Sequence, residues 1–223
     1  MSTMRRMLAL VAVLTLGVAA SAAAAETPEQ MVSTSLTAAR SARSVHVVAT
    51  GLQSGQPLSF DLRLVAGRGG GGTLRMGKLR FDMVRVGPNA YFKGGSAFWT
   101  QFGGATLAQL LQGKWIRASA TTGDLASFTP LTDIKQLFNA ILSSHGALKA
   151  GGRKTIGGMP AVGVVDISKR GGGTLWIAAT GTPYPLEITQ TGGNGVIRFE
   201  DWNKPVSLTA PKHALDFDKL KKK

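Results

Sequence analysis

The chain of 223 residues contains no cysteine. This absence excludes disulfide bonds, thiolate metal ligands, cysteine nucleophiles and a lipid anchor on an N-terminal cysteine. Charge is also scarce, since charged residues make up 17% of the chain, against about 25% in an average domain. Hydrophobic residues make up 43%, which is enough to build a core and excludes a wholly disordered chain.

Signatures of catalysis and of metal binding are missing as well. The chain has no GxSxG motif, which would mark a catalytic serine. His46, His145 and His213 are far apart in sequence, whereas metal ligands usually include pairs a few residues apart. Glu200 and Asp201 are neighbours in a predicted strand, so we expect their side chains to point to opposite faces.

Four further carboxylates stand alone in alternating strands, and we interpret them as solvent-facing: Asp61, Asp82, Asp166 and Glu187. Gly72 to Lys78 has the glycines and the lysine of a phosphate-binding loop. Leu79, however, follows where serine or threonine is needed to hold magnesium. This segment, like the glycine run from Gly67 to Gly72, is interpreted as a hairpin turn. We therefore predict a protein without catalytic residues, metal or cofactor.

Residues 1–25 have the pattern of a secretory signal peptide. Arg5 and Arg6 precede an apolar stretch from Met7 to Ala20, and alanines 23–25 offer a cleavage site before Glu26. The apolar stretch is shorter than the roughly 20 residues of a confident membrane span. A retained anchor helix is the alternative. We expect an exported protein, extracellular or in the cell envelope and soluble after cleavage.

Positive charge predominates in this chain. Lysine and arginine outnumber aspartate and glutamate by 26 to 12, which gives a net charge of +14, and removal of the two leader arginines leaves +12. A basic exported protein meets anionic membranes and cell-wall polymers rather than nucleic acid. The positive charge is dispersed except in a basic tail, residues 213–223, which we expect to be a solvated terminus.

Periodicity predicts helices at the start and in the middle of the mature chain. Thr27, Pro28 and Gln30 form a capping box for a helix that reaches about Ala42. Thr106 is expected to begin a short second helix, which stops at Gly113. A third helix is predicted from five apolar residues at helical spacing: Ile134, Leu137, Phe138, Ile141 and Leu142.

Alternating hydrophobicity predicts about ten strands in two blocks, separated by the middle helices. Leu58 to Leu64 and Leu79 to Met83 alternate apolar and polar residues. Glycine pairs, prolines and Asn194-Gly195 mark turns between strands at the spacing of an antiparallel sheet. The prediction is one α+β domain over residues 26–212, with a curved antiparallel sheet and two or three helices on its concave face. Helices in that position leave an apolar space above the sheet.

Six segments together resemble actinobacterial envelope proteins of the LppX/LprG type: GGGTLRMGKLRFDMVRVGPNAYFKG, GKWIRA, FTPLTDIKQLF, IGGMPAVGVVD, GGGTLWIAATGTPYPLEI and FEDWNKPVSLTAP. The resemblance runs from about Thr27 to Pro211. It implies the strongly curved half-barrel of the LolA and LolB carriers. It also implies binding and transport of acylated lipids or lipoglycans in an apolar cavity. Unlike the mycobacterial members, this chain has no lipobox cysteine, so we expect it to be a non-lipidated, soluble relative.

The resulting hypothesis is an exported, monomeric, non-catalytic carrier of a lipid or lipoglycan. Inward-facing apolar positions are the candidate lining of its cavity: Leu58, Phe60, Leu62, Leu64, Phe81, Met83, Phe138 and Ile141. The same residues would equally fill a solid core. The alternative is therefore a basic envelope module with a closed core, which holds anionic polymer or a partner protein through its surface.

Overall fold

The computed structural model describes residues 26–53, 55–168, 172–193 and 195–220. The predicted leader, residues 1–25, lies outside the described residues, so its cleavage stays a prediction. Within the described residues, no helix is both long enough and apolar enough to cross a membrane.

The described residues form twelve strands, four α-helices and two short 3₁₀ segments. In chain order these are α1 (Pro28–Ser41), β1 (Ser44–Gln53), β2 (Gln56–Val65), β3 (Gly69–Met76), β4 (Leu79–Val86), β5 (Asn89–Gly94), α2 (Ser96–Leu111), β6 (Ile116–Ser119), a 3₁₀ segment (Asp124–Thr132), α3 (Ile134–Leu142), β7 (Leu148–Ile156), β8 (Met159–Asp166), β9 (Gly173–Ala178), β10 (Pro185–Gln190), a 3₁₀ segment (Thr191–Gly193), β11 (Gly195–Glu200), β12 (Leu215–Asp216) and α4 (Phe217–Leu220).

All twelve strands belong to one sheet, in the order β12-β6-β5-β4-β3-β2-β1-β11-β10-β9-β8-β7. Neighbouring strands are antiparallel except β12 and β6, which are parallel. The first strand, β1, pairs with β2 on one side and with β11 on the other, so it joins the two predicted blocks. The predicted α+β fold with a curved, open antiparallel sheet is confirmed, with two strands more than expected.

One face of the sheet carries the hydrophobic core. Val47 of β1 lies in register with Leu62 of β2 and Phe199 of β11, and all three side chains are almost fully buried. The same cluster includes Trp99 of α2 and Phe138 of α3. Burial of each such side chain stabilises the fold by about 1.5–3 kcal/mol. The helices therefore cover this concave face, as predicted.

Local signals set the bounds of α1 and α3. At the start of α1, the Thr27 hydroxyl accepts from the Gln30 amide, and the Gln30 side chain accepts from the Thr27 amide, which confirms the capping box. At the start of α3, the Asp133 carboxylate accepts from the Gln136 amide at 3.1 Å. The helix begins at Ile134, the first of the five apolar residues from which it was predicted.

The expected start of α2 is wrong by ten residues. The helix begins at Ser96 rather than at Thr106, although it ends as predicted, just before Gly113 with its φ of 72°. Two buried aromatic side chains, Phe98 and Trp99, fix the earlier part against the sheet. Phe98 stacks on Phe81 of β4, with ring centroids 4.4 Å apart. This packing outweighs the weak helix propensity of the polar and glycine residues between Trp99 and Thr106.

The glycine run is also corrected, because most of it is strand rather than turn. Residues 69–76 form β3, and the turn lies at residues 66–68, where Gly67 has a φ of 68°. A Cβ at Gly70 would lie 2.8 Å from the Arg63 carbonyl oxygen and 2.5 Å from the Leu64 side chain. Glycine is therefore needed here for close approach of β2 and β3 rather than for a change of direction.

The described part of the C-terminal segment packs on the sheet instead of lying in solvent. Residues 215–216 form β12 against β6, and Phe217 is buried with its ring centroid 6.1 Å from that of Trp99. Burial of this one aromatic ring explains why the segment departs from the expectation drawn from its lysines. The final residues, 221–223, lie outside the described residues.

Candidate functional site

A cavity of about 340 Å³ opens between the sheet and the helices α1 and α3. Its walls are mostly apolar: Val32, Ala49, Leu52, Leu58, Phe60, Ile141, Leu142, Leu148, Val164, Leu175, Ile188, Val196 and Ile197. The strands that contribute come from both halves of the sheet. The cavity therefore lies over the centre of the sheet, where β1 joins the two halves.

Small residues in β1 create this space. In one cross-strand row, Ala49 lies between Phe60 of β2 and Ile197 of β11. In the next row towards the strand ends, Gly51 lies between Leu58 and Gly195. The methyl group of Ala49 and the missing side chain of Gly51 each leave a gap in the middle of a row, and the flanking residues do not close it.

The neighbouring row is filled. There, Val47 lies between Leu62 and Phe199, and the Phe138 ring of α3 packs on Phe199 with centroids 5.0 Å apart. This row is the closed end of the cavity. Residue size along β1 therefore determines where the solid core ends and the cavity begins.

Helix α3 forms the roof through Ile141 and Leu142, and Arg85 of β4 holds the beginning of this helix. The Arg85 side chain is only 13% exposed. Its guanidinium donates to the Thr132 hydroxyl at 2.9 Å, to the Thr132 carbonyl at 3.0 Å and to the Asp133 carboxylate at 3.2 Å. Since Asp133 also caps α3, one largely buried arginine connects the sheet to the helix over the cavity.

Polar groups gather where the cavity meets solvent. This part of the lining consists of Thr50, Ser144, His145, Asp166 and Gln190. The Asp166 carboxylate accepts hydrogen bonds from the Ser168 hydroxyl, the Ser168 amide at 2.8 Å and the Gly146 amide at 3.3 Å. These bonds, led by that of the hydroxyl, hold the pKa of Asp166 below its ordinary value. The mouth thus contains one carboxylate that already accepts hydrogen bonds from the protein, together with hydroxyl, amide and imidazole groups.

The structure places three of the eight predicted lining residues on the cavity wall: Leu58, Phe60 and Ile141. The other five are packed inside the core and are almost fully buried: Leu62, Leu64, Phe81, Met83 and Phe138. Their burial has a common physical reason. All five belong to the same buried core cluster as Phe98, Trp99 and Phe199, so packed side chains fill the space around them.

Sequence reasoning missed the small residues, Ala49, Gly51 and Gly195, and the wall that the second half of the sheet supplies. One signal is present in the sequence. Val45 and Val47 are followed at the same spacing by Ala49 and Gly51, so the inward side chains of β1 become smaller towards its end. That trend alone does not locate a cavity, because the partners of β1 in β11 lie about 150 residues away.

The opposite face of the sheet carries two polar clusters. In the first, Glu187 is buried between Lys154 and Arg198, whose nitrogen atoms lie 2.7 and 3.1 Å from its carboxylate oxygens. Burial raises its pKa, but the hydrogen bonds from both cations together lower the pKa below its ordinary value. The interpretation of Glu187 as solvent-facing is therefore corrected, because two cations compensate for its burial.

The second cluster surrounds His46, which is also buried. Its Nε2 lies 2.8 Å from an Asp61 oxygen, and its Nδ1 lies 3.7 Å from Glu200 and 3.9 Å from Asp201. The expectation that Glu200 and Asp201 point to opposite faces is wrong. The strand ends at Glu200, and Asp201 has a φ of 51°, which turns its carboxylate back to the same side. Among the described residues, no group of three or more such side chains is arranged to hold a metal ion.

No family model and no curated protein matches the sequence. Among solved structures, LprF from Mycobacterium bovis is similar with a TM-score of 0.58 and 19% identity, over 82% of this chain and 96% of that protein. The lipoprotein LppX from Mycobacterium tuberculosis is similar with a TM-score of 0.50 and 20% identity, over 80% of this chain and 96% of that protein. The protein described here therefore has the fold of LprF and LppX, as the sequence resemblance implies.

Proposed function

We propose that this protein is an exported, non-catalytic carrier that holds the acyl chain of a lipid in the cavity between its sheet and helices. The observation that carries the proposal is the apolar cavity over Ala49 and Gly51, open to solvent at a polar mouth. Small-molecule sites are typically concave and apolar, with a few convergent polar groups. The resemblance to the LppX/LprG type supports the same class of ligand.

The volume of the cavity fits one acyl chain. Since an apolar cavity of 150 Å³ holds one benzene molecule, the 340 Å³ available here has room for roughly a dozen carbon atoms. Each buried methylene contributes about 0.8 kcal/mol, so ten of them supply about 8 kcal/mol before the cost of ordering the chain. A plain apolar cavity therefore binds usefully without any polar anchor.

The mouth favours a hydroxylated headgroup. Thr50, Ser144, His145 and Gln190 provide donors and acceptors around it. Asp166 is ionised at neutral pH, as an ordinary aspartate is, and its hydrogen bonds lower its pKa further. Its charge disfavours a headgroup phosphate directly beside it. A glycosylated or otherwise hydroxyl-rich head satisfies these groups, whereas an anionic head would have to sit farther out.

Uptake of a fluorescent fatty-acid probe at two salt concentrations tests the proposal. For the protein as exported by its host, we expect saturable uptake that changes less than about twofold between roughly 0.05 and 1 M NaCl, because apolar burial is not screened by salt. A basic module with a closed core would instead take up no probe. It would retain anionic polymer at low salt and release it at high salt. That outcome would replace the carrier proposal with the interaction module.

A further inference from the structure

We propose that the protein docks with its cavity mouth on the surface of an anionic phospholipid bilayer, through three exposed apolar side chains and three arginine or lysine residues. This inference deepens the proposed carrier function and rests on it. The apolar members are Leu52, Met76 and Ile167, and the cationic members are Arg75, Lys78 and Arg80. We call these six residues the docking rim.

The apolar members are unusually exposed for large hydrophobic side chains. Leu52 is 51% exposed, Ile167 is 52% exposed and Met76 is 37% exposed. Leu52 and Met76 lie near the ends of β1 and β3, and Ile167 directly follows β8. Strands β1, β3 and β8 run in the same direction, so the three side chains lie at one end of the sheet. Apolar groups exposed together at one end of a protein favour an interaction surface there.

All three lie around the mouth of the cavity. Leu52 is part of its wall, and Ile167 directly follows Asp166 of the mouth. Met76 lies in register with Leu58, and Leu58 lines both the cavity and the adjoining hollow that contains Met76. The Gly77 amide, next to Met76, donates to the Pro57 carbonyl at 2.7 Å, so the tips of the two hairpins are joined.

The cationic members lie on one of these hairpins. Arg75 of β3 is directly opposite Arg80 of β4, and Lys78 lies in the turn between them. All three side chains are exposed, and among the described residues none has a carboxylate within 4 Å. Like charges directly opposite one another are unfavourable in a sheet. An external anion would relieve this repulsion.

A bilayer of anionic lipids fits both halves of the docking rim. Its acyl region accepts the apolar side chains, and its phosphates neutralise the cations of the β3–β4 hairpin, which lies in the other half of the sheet from Asp166 of β8. A second copy of this chain fits less well, because it would bring two sets of like charges together. Docking in this orientation faces the cavity mouth to the membrane, so an acyl chain passes between bilayer and cavity without crossing water.

Vesicle flotation tests this surface. We use vesicles of phosphatidylcholine alone and vesicles with about 30% phosphatidylglycerol, and we expect binding to the anionic vesicles. The double variant Met76→Gln/Ile167→Gln is expected to bind at least tenfold more weakly, since a glutamine side chain does not gain the free energy that an apolar side chain gains on moving from water into the bilayer. The triple variant Arg75→Gln/Lys78→Gln/Arg80→Gln should bind the anionic vesicles roughly fivefold more weakly for each residue replaced. Its binding to vesicles of phosphatidylcholine alone should not change.

Met159→Gln is the matched control, because Met159 is 46% exposed but lies at the start of β8, away from the docking rim. It should bind vesicles like the wild type. The double variant should still take up the soluble fatty-acid probe, because neither Met76 nor Ile167 lines the cavity.

Equal vesicle binding by wild type and both rim variants would overturn the docking proposal. Vesicle binding by a wild type that takes up no probe would overturn the carrier function instead. A wild type that dimerises through the rim and ignores vesicles would assign this surface to a second copy.

Discussion

Replacement of Ala49 by phenylalanine is expected to weaken binding of the fatty-acid probe at least a hundredfold while the protein stays folded. Ala49 is the small residue in the row between Phe60 and Ile197, and its side chain faces the cavity. A phenyl ring needs roughly the 150 Å³ of a benzene cavity, so it would take up nearly half of the 340 Å³. Probe titration should show at least a hundredfold weaker binding, because six or more methylenes of the probe would no longer be buried in the cavity.

Stability distinguishes a filled cavity from a damaged core. A side chain that occupies an existing cavity changes the free energy of unfolding by about 1 kcal/mol or less, and often raises it. Val48→Phe is the matched control, since Val48 is the next residue of β1 and faces the opposite side, towards Asp61 and Arg198. It should leave probe binding unchanged. Wild-type affinity in Ala49→Phe would mean that the ligand does not occupy this cavity.

Loss of Arg85 is expected to destabilise the protein by about 2–4 kcal/mol, since Asp133 and Thr132 would keep partly buried polar groups without their partner. The three hydrogen bonds that Arg85 donates connect β4 to the start of α3. Urea unfolding of Arg85→Ala measures this loss. Arg85→Lys should recover less than half of it, because an ammonium group cannot reproduce the geometry of a guanidinium.

Arg63→Ala provides the comparison for Arg85→Ala. Arg63 lies 3.5 Å from Asp61, and both side chains are more than half exposed, so its removal should cost less than about 1 kcal/mol. Because α3 also forms the cavity roof, Arg85→Ala should weaken probe binding as well. A loss of stability no larger than that of Arg63→Ala would show that Arg85 does not hold the helix.

The fold was predictable where the signals are local. The capping box at Thr27, the apolar spacing of α3 and the alternation in β2 and β4 each depend on a few consecutive residues. The start of α2 was not predictable, because it depends on contacts of Phe98 and Trp99 with strands elsewhere. The glycine run was misinterpreted for a similar reason, since its extended conformation is set by close approach to β2.

The candidate site was only partly predictable. Leu58 and Leu62 occupy equivalent positions in the alternation of β2, yet one lines the cavity and the other is fully buried. The difference comes from their cross-strand partners, Gly51 for Leu58 and Val47 for Leu62. Size complementarity across strands and from the helices is a tertiary property. Periodicity therefore identifies the inward face of the sheet but not the part of it that stays open.

Native mass spectrometry of the protein purified from its own host tests the central claim most directly. We predict an added mass that organic solvent extracts as a lipid with one acyl chain in the cavity and a hydroxylated head, and that is missing from Ala49→Phe. An unliganded wild-type protein that also fails to take up the fatty-acid probe would contradict the account, because the cavity over Ala49 and Gly51 would then hold no lipid.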